Sequence, residues 1–297
     1  MTFESGCANI HGRMHRRCLA ICACIAAGVL QVRAQDPGAK TLVLVGELHG
    51  TTEIPRLFTN LATAAAVQSA SPIAIGLELP VTLQKIVDDV TDAFDASAFR
   101  ERLVQDAAWQ QINDGRSSEA MADLISDVVK LSRTRRASVF FFDTQTGTRD
   151  EALAQFIANR VKSHNEAVTL VLTGNIHASV APRFPRIPSI EPMGHRLIAQ
   201  GLKVVSLNVT YSGGDAWVCI PECGLHKMNG NAGSPASGGY DDTLYVGSIS
   251  ASPPARARRG AGADCQVDRT KGCEPYSAAA SICLGGPVAL RRTTAGG

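Results

Sequence analysis

Two short stretches bring titratable side chains to places where the backbone is expected to be buried. Thr41–Gly50 reads TLVLVGELHG and Thr169–Ala178 reads TLVLTGNIHA. Each is a run of β-formers ending in G-x-x-H, so His49 and His177 occupy matching positions, and Glu47 lies in the first tip. Imidazole takes up or releases a proton near neutral pH and ligates metals in its neutral form. A carboxylate beside it can orient the ring or accept a proton itself. Glu78 in PIAIGLELP and Asp143 in ASVFFFDTQ close two further apolar runs. In open α/β sheets ligands bind beyond the carboxyl ends of parallel strands. A parallel sheet therefore brings Glu47, His49, Glu78, Asp143 and His177 towards one crevice. The competing reading is structural: Glu47 caps the helix that follows, Glu78 pairs with an internal arginine, and the histidines satisfy neighbours.

These residues need strands alternating with helices to hold them. Leu42–Val45 is apolar on both faces, the mark of a buried parallel strand. A helix follows over GTTEIPRLFTNLATAAAVQSA, with Thr51 or Thr52 as cap, Glu53 as a first-turn acid and Pro55 near its start. The strand at PIAIGLELP ends at Pro80, and helical patterns cover 81–90, 96–105 and 118–132. ASVFFFDTQ is a third strand. TGTRDEALAQFIANRVKSH is a helix whose buried stripe runs through Ala152, Phe156 and Val161. TLVLTGNIHA and LKVVSLNVT complete the set. This order predicts an α/β fold with a mainly parallel sheet flanked by helices and repeated strand-G-x-x-H units, over 41–250. After Tyr211 glycine, serine and proline thicken, and only an edge strand over 243–249 is expected.

Residues 1–34 read as an export signal: His15, Arg16 and Arg17, an apolar run from Cys18 to Leu30, and a small-residue cleavage site at Ala34, with Met14 as an alternative start. The expected location is periplasmic or secreted, with membrane contact through that signal alone. Five cysteines follow it, Cys219, Cys223, Cys265, Cys273 and Cys283, which in an exported chain suggests one or two disulfides. CIPECGLH offers the alternative of Cys219, Cys223 and His226 on zinc. Residues 251–297 read as a disordered or cystine-tethered tail. A formal net charge of +2 over 297 residues leaves no strong field for nucleic acid.

The ordered set GELHGTTE, GLELP, TRDEALAQFI and GNIHA resembles the superfamily of erythromycin esterase-like, ChaN-like and TIKI/TraB-like proteins, nearest to the ChaN-like domain. The likeness spans 41–209, and YVGSISASPPA echoes the end of that domain. It implies an α/β core with one pocket built from Glu47, His49, Glu78, Arg149 and His177. It also implies divergent chemistry: metal-dependent proteolysis, lactone hydrolysis with a histidine base, or haem association.

Two mechanisms follow. In the first, His49, His177 and Glu78 (or Glu47) bind zinc, manganese or cobalt and leave a position for water. In the second, His49 acts as general base on water, oriented by Glu47 or Glu78, with Arg149 and His177 as electrophilic partners. Both are hydrolytic and act on an ester, lactone or amide bond of a small molecule or peptide. The non-catalytic alternative is a haem- or iron-binding module, although the chain has no C-x-x-C-H. It also has no G-x-S-x-G elbow, Walker A loop, dinucleotide fingerprint or H-E-x-x-H helix.

Overall fold

A strand with no polar face can persist only if both of its faces are covered. β1 (Thr41–Glu47) meets that condition at every residue. In the computed structural model, which describes residues 40–256 apart from 91–93, 135, 145–147 and 232–238, its side chains alternate between two cores. Val43 and Val45 enter one, and Leu42 and Leu44 the other. The stretch read as an export signal, Cys265, Cys273, Cys283 and the remainder of the tail lie outside the described residues. No helix among the described residues is long and apolar enough to cross a membrane.

The elements follow in order as α1 (Glu53–Gln68), β2 (Ile73–Pro80), a 3-10 turn at Val81–Leu83, α2 (Gln84–Asp88), α3 (Ala96–Gln105), α4 (Ala107–Gln110), α5 (Glu119–Arg133), β3 (Ala137–Asp143), α6 (Arg149–Ser163), β4 (Val168–Gly174), α7 (Asn175–Ala178), α8 (Met193–Ala199), β5 (Lys203–Thr210), β6 (Gly213–Cys219), β7 (Cys223–Asn229), β8 (Asp242–Tyr245) and β9 (Ser248–Ile249). Six strands form one sheet in the order β3-β2-β4-β1-β5-β8. Every pairing in it is parallel, so all strand ends that precede α-helices point to one edge. Phe58 of α1 and Ile125 and Val129 of α5 pack on one face, and Leu153 and Ile157 of α6 with Met193 and Leu197 of α8 pack on the other. The α/β reading of the sequence holds.

Local differences have physical causes. The buried stripe of α6 is Leu153, Ala154, Ile157, Ala158 and Val161. Of the expected trio only Val161 is in it, because the helix is rotated so that Asp150 also turns inward. Thr52 stands at the N-cap of α1 but has helical dihedrals and makes no side-chain cap. Thr51 instead donates to the Leu48 carbonyl, while Glu53 accepts from the backbone and hydroxyl of Ser250.

The region after Tyr211 holds more order than its composition suggests. β6 and β7 form an antiparallel hairpin, and β9 pairs with β6 in a small second sheet. The edge strand expected at 243–249 divides between β8 and β9, one in each sheet. A disulfide joins Cys219 to Cys223 at the tip of the hairpin. Its formation removes the thiolates needed for the zinc alternative, and His226 instead lies 2.9 Å from the Glu222 carbonyl through Nε2. The chain also stays packed beyond Ser250. Ala255 is fully buried, its N–H donates to Ser117 and its carbonyl accepts from the Trp109 indole at 3.1 Å.

Candidate active site

β1 and β4 are neighbours, with Gly46 opposite Thr173 and Glu47 opposite Gly174. The two G-x-x-H tips therefore emerge side by side, but their backbones differ. After Gly46 the chain continues one residue as strand and then bends; after Gly174 it enters the single turn α7. Both glycines are needed for space. A β-carbon on Gly46 would lie 3.0 Å from the Asn175 Cα and 3.1 Å from the Ala178 Cβ, so Gly46 lets α7 settle against β1. A β-carbon on Gly174 would lie 3.2 Å from His49 Nε2, 3.3 Å from His177 Cδ2 and 3.7 Å from Glu78 Oε2. Both imidazoles and a carboxylate thus border one methyl-sized space above Gly174.

Each ring is held through Nδ1 by a different carboxylate. His49 Nδ1 is 2.9 Å from Glu47 Oε1, and His177 Nδ1 is 2.8 Å from Asp150 Oδ1. Asp150 is fixed in turn by the Met193 backbone N–H at 2.7 Å. A carboxylate accepts at Nδ1, so that nitrogen carries the proton and Nε2 is left for chemistry. His177 Nε2 lies 3.8 Å from Glu78 Oε1. The His49 and His177 side chains retain 21% and 17% exposure, enough for solvent to reach them. Burial disfavours the His49 imidazolium, but the charge and hydrogen bond of Glu47, together with the charge of Glu78, outweigh it and hold His49 above its ordinary value. Glu47 is nearly inaccessible, and its Oε2 has no hydrogen-bond partner among the described residues.

Glu78 is buried and tightly engaged. Its Oε2 accepts from Thr173 Oγ1 at 2.6 Å and the Gly174 N–H at 2.7 Å. Its Oε1 accepts from Arg149 at 2.6 Å. Asp143, also buried, meets Arg116 at 2.6 Å and Arg149 at 3.2 Å. Arg116 donates further to the Glu78 carbonyl and is clamped by Asp114. Burial alone would raise the Glu78 pKa, yet the charges of His177, His49, Arg116 and Arg149 hold its carboxyl far below the usual range. The β2 strand reaches this site through a bulge. Between the pairs Leu77–Phe141 and Pro80–Asp143 it carries one residue more than β3, which re-aims the strand where Glu78 lies.

All five residues expected in the pocket, Glu47, His49, Glu78, Arg149 and His177, come together here, and Asp143 joins them. Three further contributors are Arg116, Asp150 and Thr173. Asp150 adjoins Arg149 in the quoted motif, but its inward turn is set by helix rotation. Arg116 lies in a loop, NDGRSS, far in sequence from any strand tip. The one clue to it was the buried-carboxylate pattern of β2 and β3, which calls for cations.

Of the two carboxylates expected as ligands, Glu78 does not suit a cation as it stands, while Glu47 Oε2 has no hydrogen-bond partner among the described residues. Both Glu78 oxygens are taken by a guanidinium, a hydroxyl and an amide, and a metal on Oε1 would have to displace Arg149. Among the described residues no three histidine, cysteine, aspartate or glutamate side chains form a metal-binding group.

No family model matches the chain, and no curated protein matches it in sequence. Three solved structures are distantly similar. The type III effector HopBA1 is 13% identical, covers 62% of this chain and 85% of its own, and has a TM-score of 0.39. A Bacillus cereus protein is 8% identical, covers 77% and 94%, and scores 0.44. A mutant of the erythromycin esterase EreC in its open conformation is 12% identical, covers 65% and 76%, and scores 0.36. At such identities and scores the likenesses are remote, and the functional reading stands on the geometry of the site.

Proposed function

We propose that this protein is a hydrolase of ester, lactone or amide bonds that activates water with histidine and needs no metal. The observation that carries this reading is the pair of imidazoles, each tied at Nδ1 to its own carboxylate, flanking one space above Gly174. Two such dyads supply a base and an acid to opposite sides of one reacting carbon. In the proposed reaction a water on the His49 side attacks the acyl carbon and gives its proton to His49 Nε2. A new carbon–oxygen bond forms, and charge develops on the former carbonyl oxygen. Arg149 is 40% exposed at its side chain and is the cation available to that oxygen. His177, which in this scheme carries a proton on both ring nitrogens, gives the one on Nε2 to the departing oxygen or nitrogen as its bond to the acyl carbon breaks, and regains it from solvent as His49 releases its own. Glu78, braced by Arg116 and Arg149, acts as a fixed negative support beneath both rings and takes no proton in this scheme.

The test is hydrolysis of a panel of aryl esters, lactones and peptides in the presence of a chelator. His49→Ala is expected to lower kcat by at least about a hundredfold, the scale of a lost general base, with the thermal midpoint little changed. Full activity in that variant would remove this assignment. Activity that vanishes with chelator and returns with zinc, manganese or cobalt would favour the metal-dependent version, and a Soret band on haem titration without turnover would favour the binding module.

A further inference from the structure

A second concavity opens on the same sheet edge, on the β5 and β8 side of the two histidines. It encloses about 560 Å³, within the range of small-molecule sites. It adjoins the candidate active site through two residues. Asn175 belongs to the second G-x-x-H turn, and Asn208 of β5 stands opposite Gly46 of β1. Its walls carry Arg186, His226, Lys227 and Tyr240, and no acidic side chain is among its described lining residues. Arg186 and Lys227 close no ion pair among the described residues. Asp215 faces Lys227 across the β6–β7 ladder but does not line the cleft. Tyr240 donates to the Asn175 carbonyl at 2.6 Å, tying the cleft wall to the catalytic turn. Burial pushes the Tyr211 and Tyr240 phenols up, and the charge of Arg186 opposes it only in part. The Oδ1 of Asn208 has no hydrogen-bond partner among the described residues.

We infer that this cleft binds an oxyanion, a carboxylate or a phosphate ester, carried by the non-reacting part of a small, hydroxylated substrate. Two unpaired cations without a competing carboxylate select negative charge, and the asparagine and tyrosine groups offer neutral donors and acceptors for hydroxyls. Anchoring there directs the rest of the substrate towards the turn that carries Gly174, Asn175 and His177. Remote binding energy of this kind orients a substrate for reaction. That the ligand is a substrate rests on the hydrolase reading; the anion site stands without it.

The experiment is calorimetric titration of the full chain with glucose 6-phosphate, glucuronate and glucose at low salt. At least one anionic sugar is expected to bind at submillimolar to millimolar concentration and glucose to bind at least tenfold more weakly. The anion that binds identifies the group. Arg186→Ala and Lys227→Ala, both at exposed positions, are each expected to weaken anion binding about tenfold without lowering the thermal midpoint. His49→Ala is expected to bind as the parent does, which separates failure of this site from failure of the hydrolase reading. Equal affinity for glucose, no binding by either anion, or unchanged affinity in both cation variants would overturn the inference.

Discussion

At the scale of single residues, Glu47 and His49 set how the site responds to pH. His49 has to be neutral to accept a proton, and its folded pKa lies above the ordinary value near 6.5 because Glu47 and Glu78 together outweigh burial. Hydrolysis should therefore rise with pH through an inflection above that value and be lost as pH falls through it. In Glu47→Gln burial and the charge of Arg116 oppose only the remaining pull of Glu78, so the inflection of kcat/KM should move to lower pH. An unmoved profile would place the base elsewhere. The stability contribution runs in the opposite sense. The protonated ring is favoured in the folded state, so this contribution is complete below the ordinary pKa and disappears as pH rises through the raised one.

At the scale of elements, the β6–β7 hairpin forms the back wall of the site. The Trp217 backbone N–H donates to the Gly50 carbonyl at 2.9 Å. The Trp217 carbonyl lies where a β-carbon on Gly50 would come within 1.9 Å, and one on Gly115 within 2.4 Å. Gly50 (φ 68°) follows His49, and Gly115 (φ 91°) precedes Arg116. One strand thus presses on the neighbours of both residues. Gly50→Ala adds left-handed strain and a backbone clash together. We expect a loss of about 2–4 kcal/mol, read from the denaturant midpoint, and a fall in turnover as His49 shifts. A substitution that leaves both unchanged would show that the hairpin does not brace the site.

At the scale of the whole molecule, the segment after β9 closes the fold. Ser252 donates its N–H to the Gly50 carbonyl, its hydroxyl accepts from the Ala120 N–H, and the Pro253 carbonyl accepts from Glu119. Ala255 seals the core beside Trp109. A chain ending at Ser250 leaves the buried Trp109 N–H and the start of α5 without these partners, at roughly 1–3 kcal/mol for each orphaned buried group. It should melt well below a chain ending at Ala257. Equal midpoints for the two would make the segment dispensable.

The sequence by itself determined the α/β class, the strand tips and the five polar residues at them. A buried parallel strand must be apolar on both faces, so a charged tip stands out against it. It did not determine Arg116, Asp150 or the second sheet. Arg116 reaches Glu78 and Asp143 from a loop with no periodicity, the inward turn of Asp150 depends on how α6 rotates against its core, and the hairpin is stabilised by pairing across the chain. Only the tertiary structure decided that each histidine has its own carboxylate and that Glu78 answers to arginines. Apart from His49–Glu47, two residues apart, those contacts join residues 27 to 71 positions apart, where local propensity carries no information.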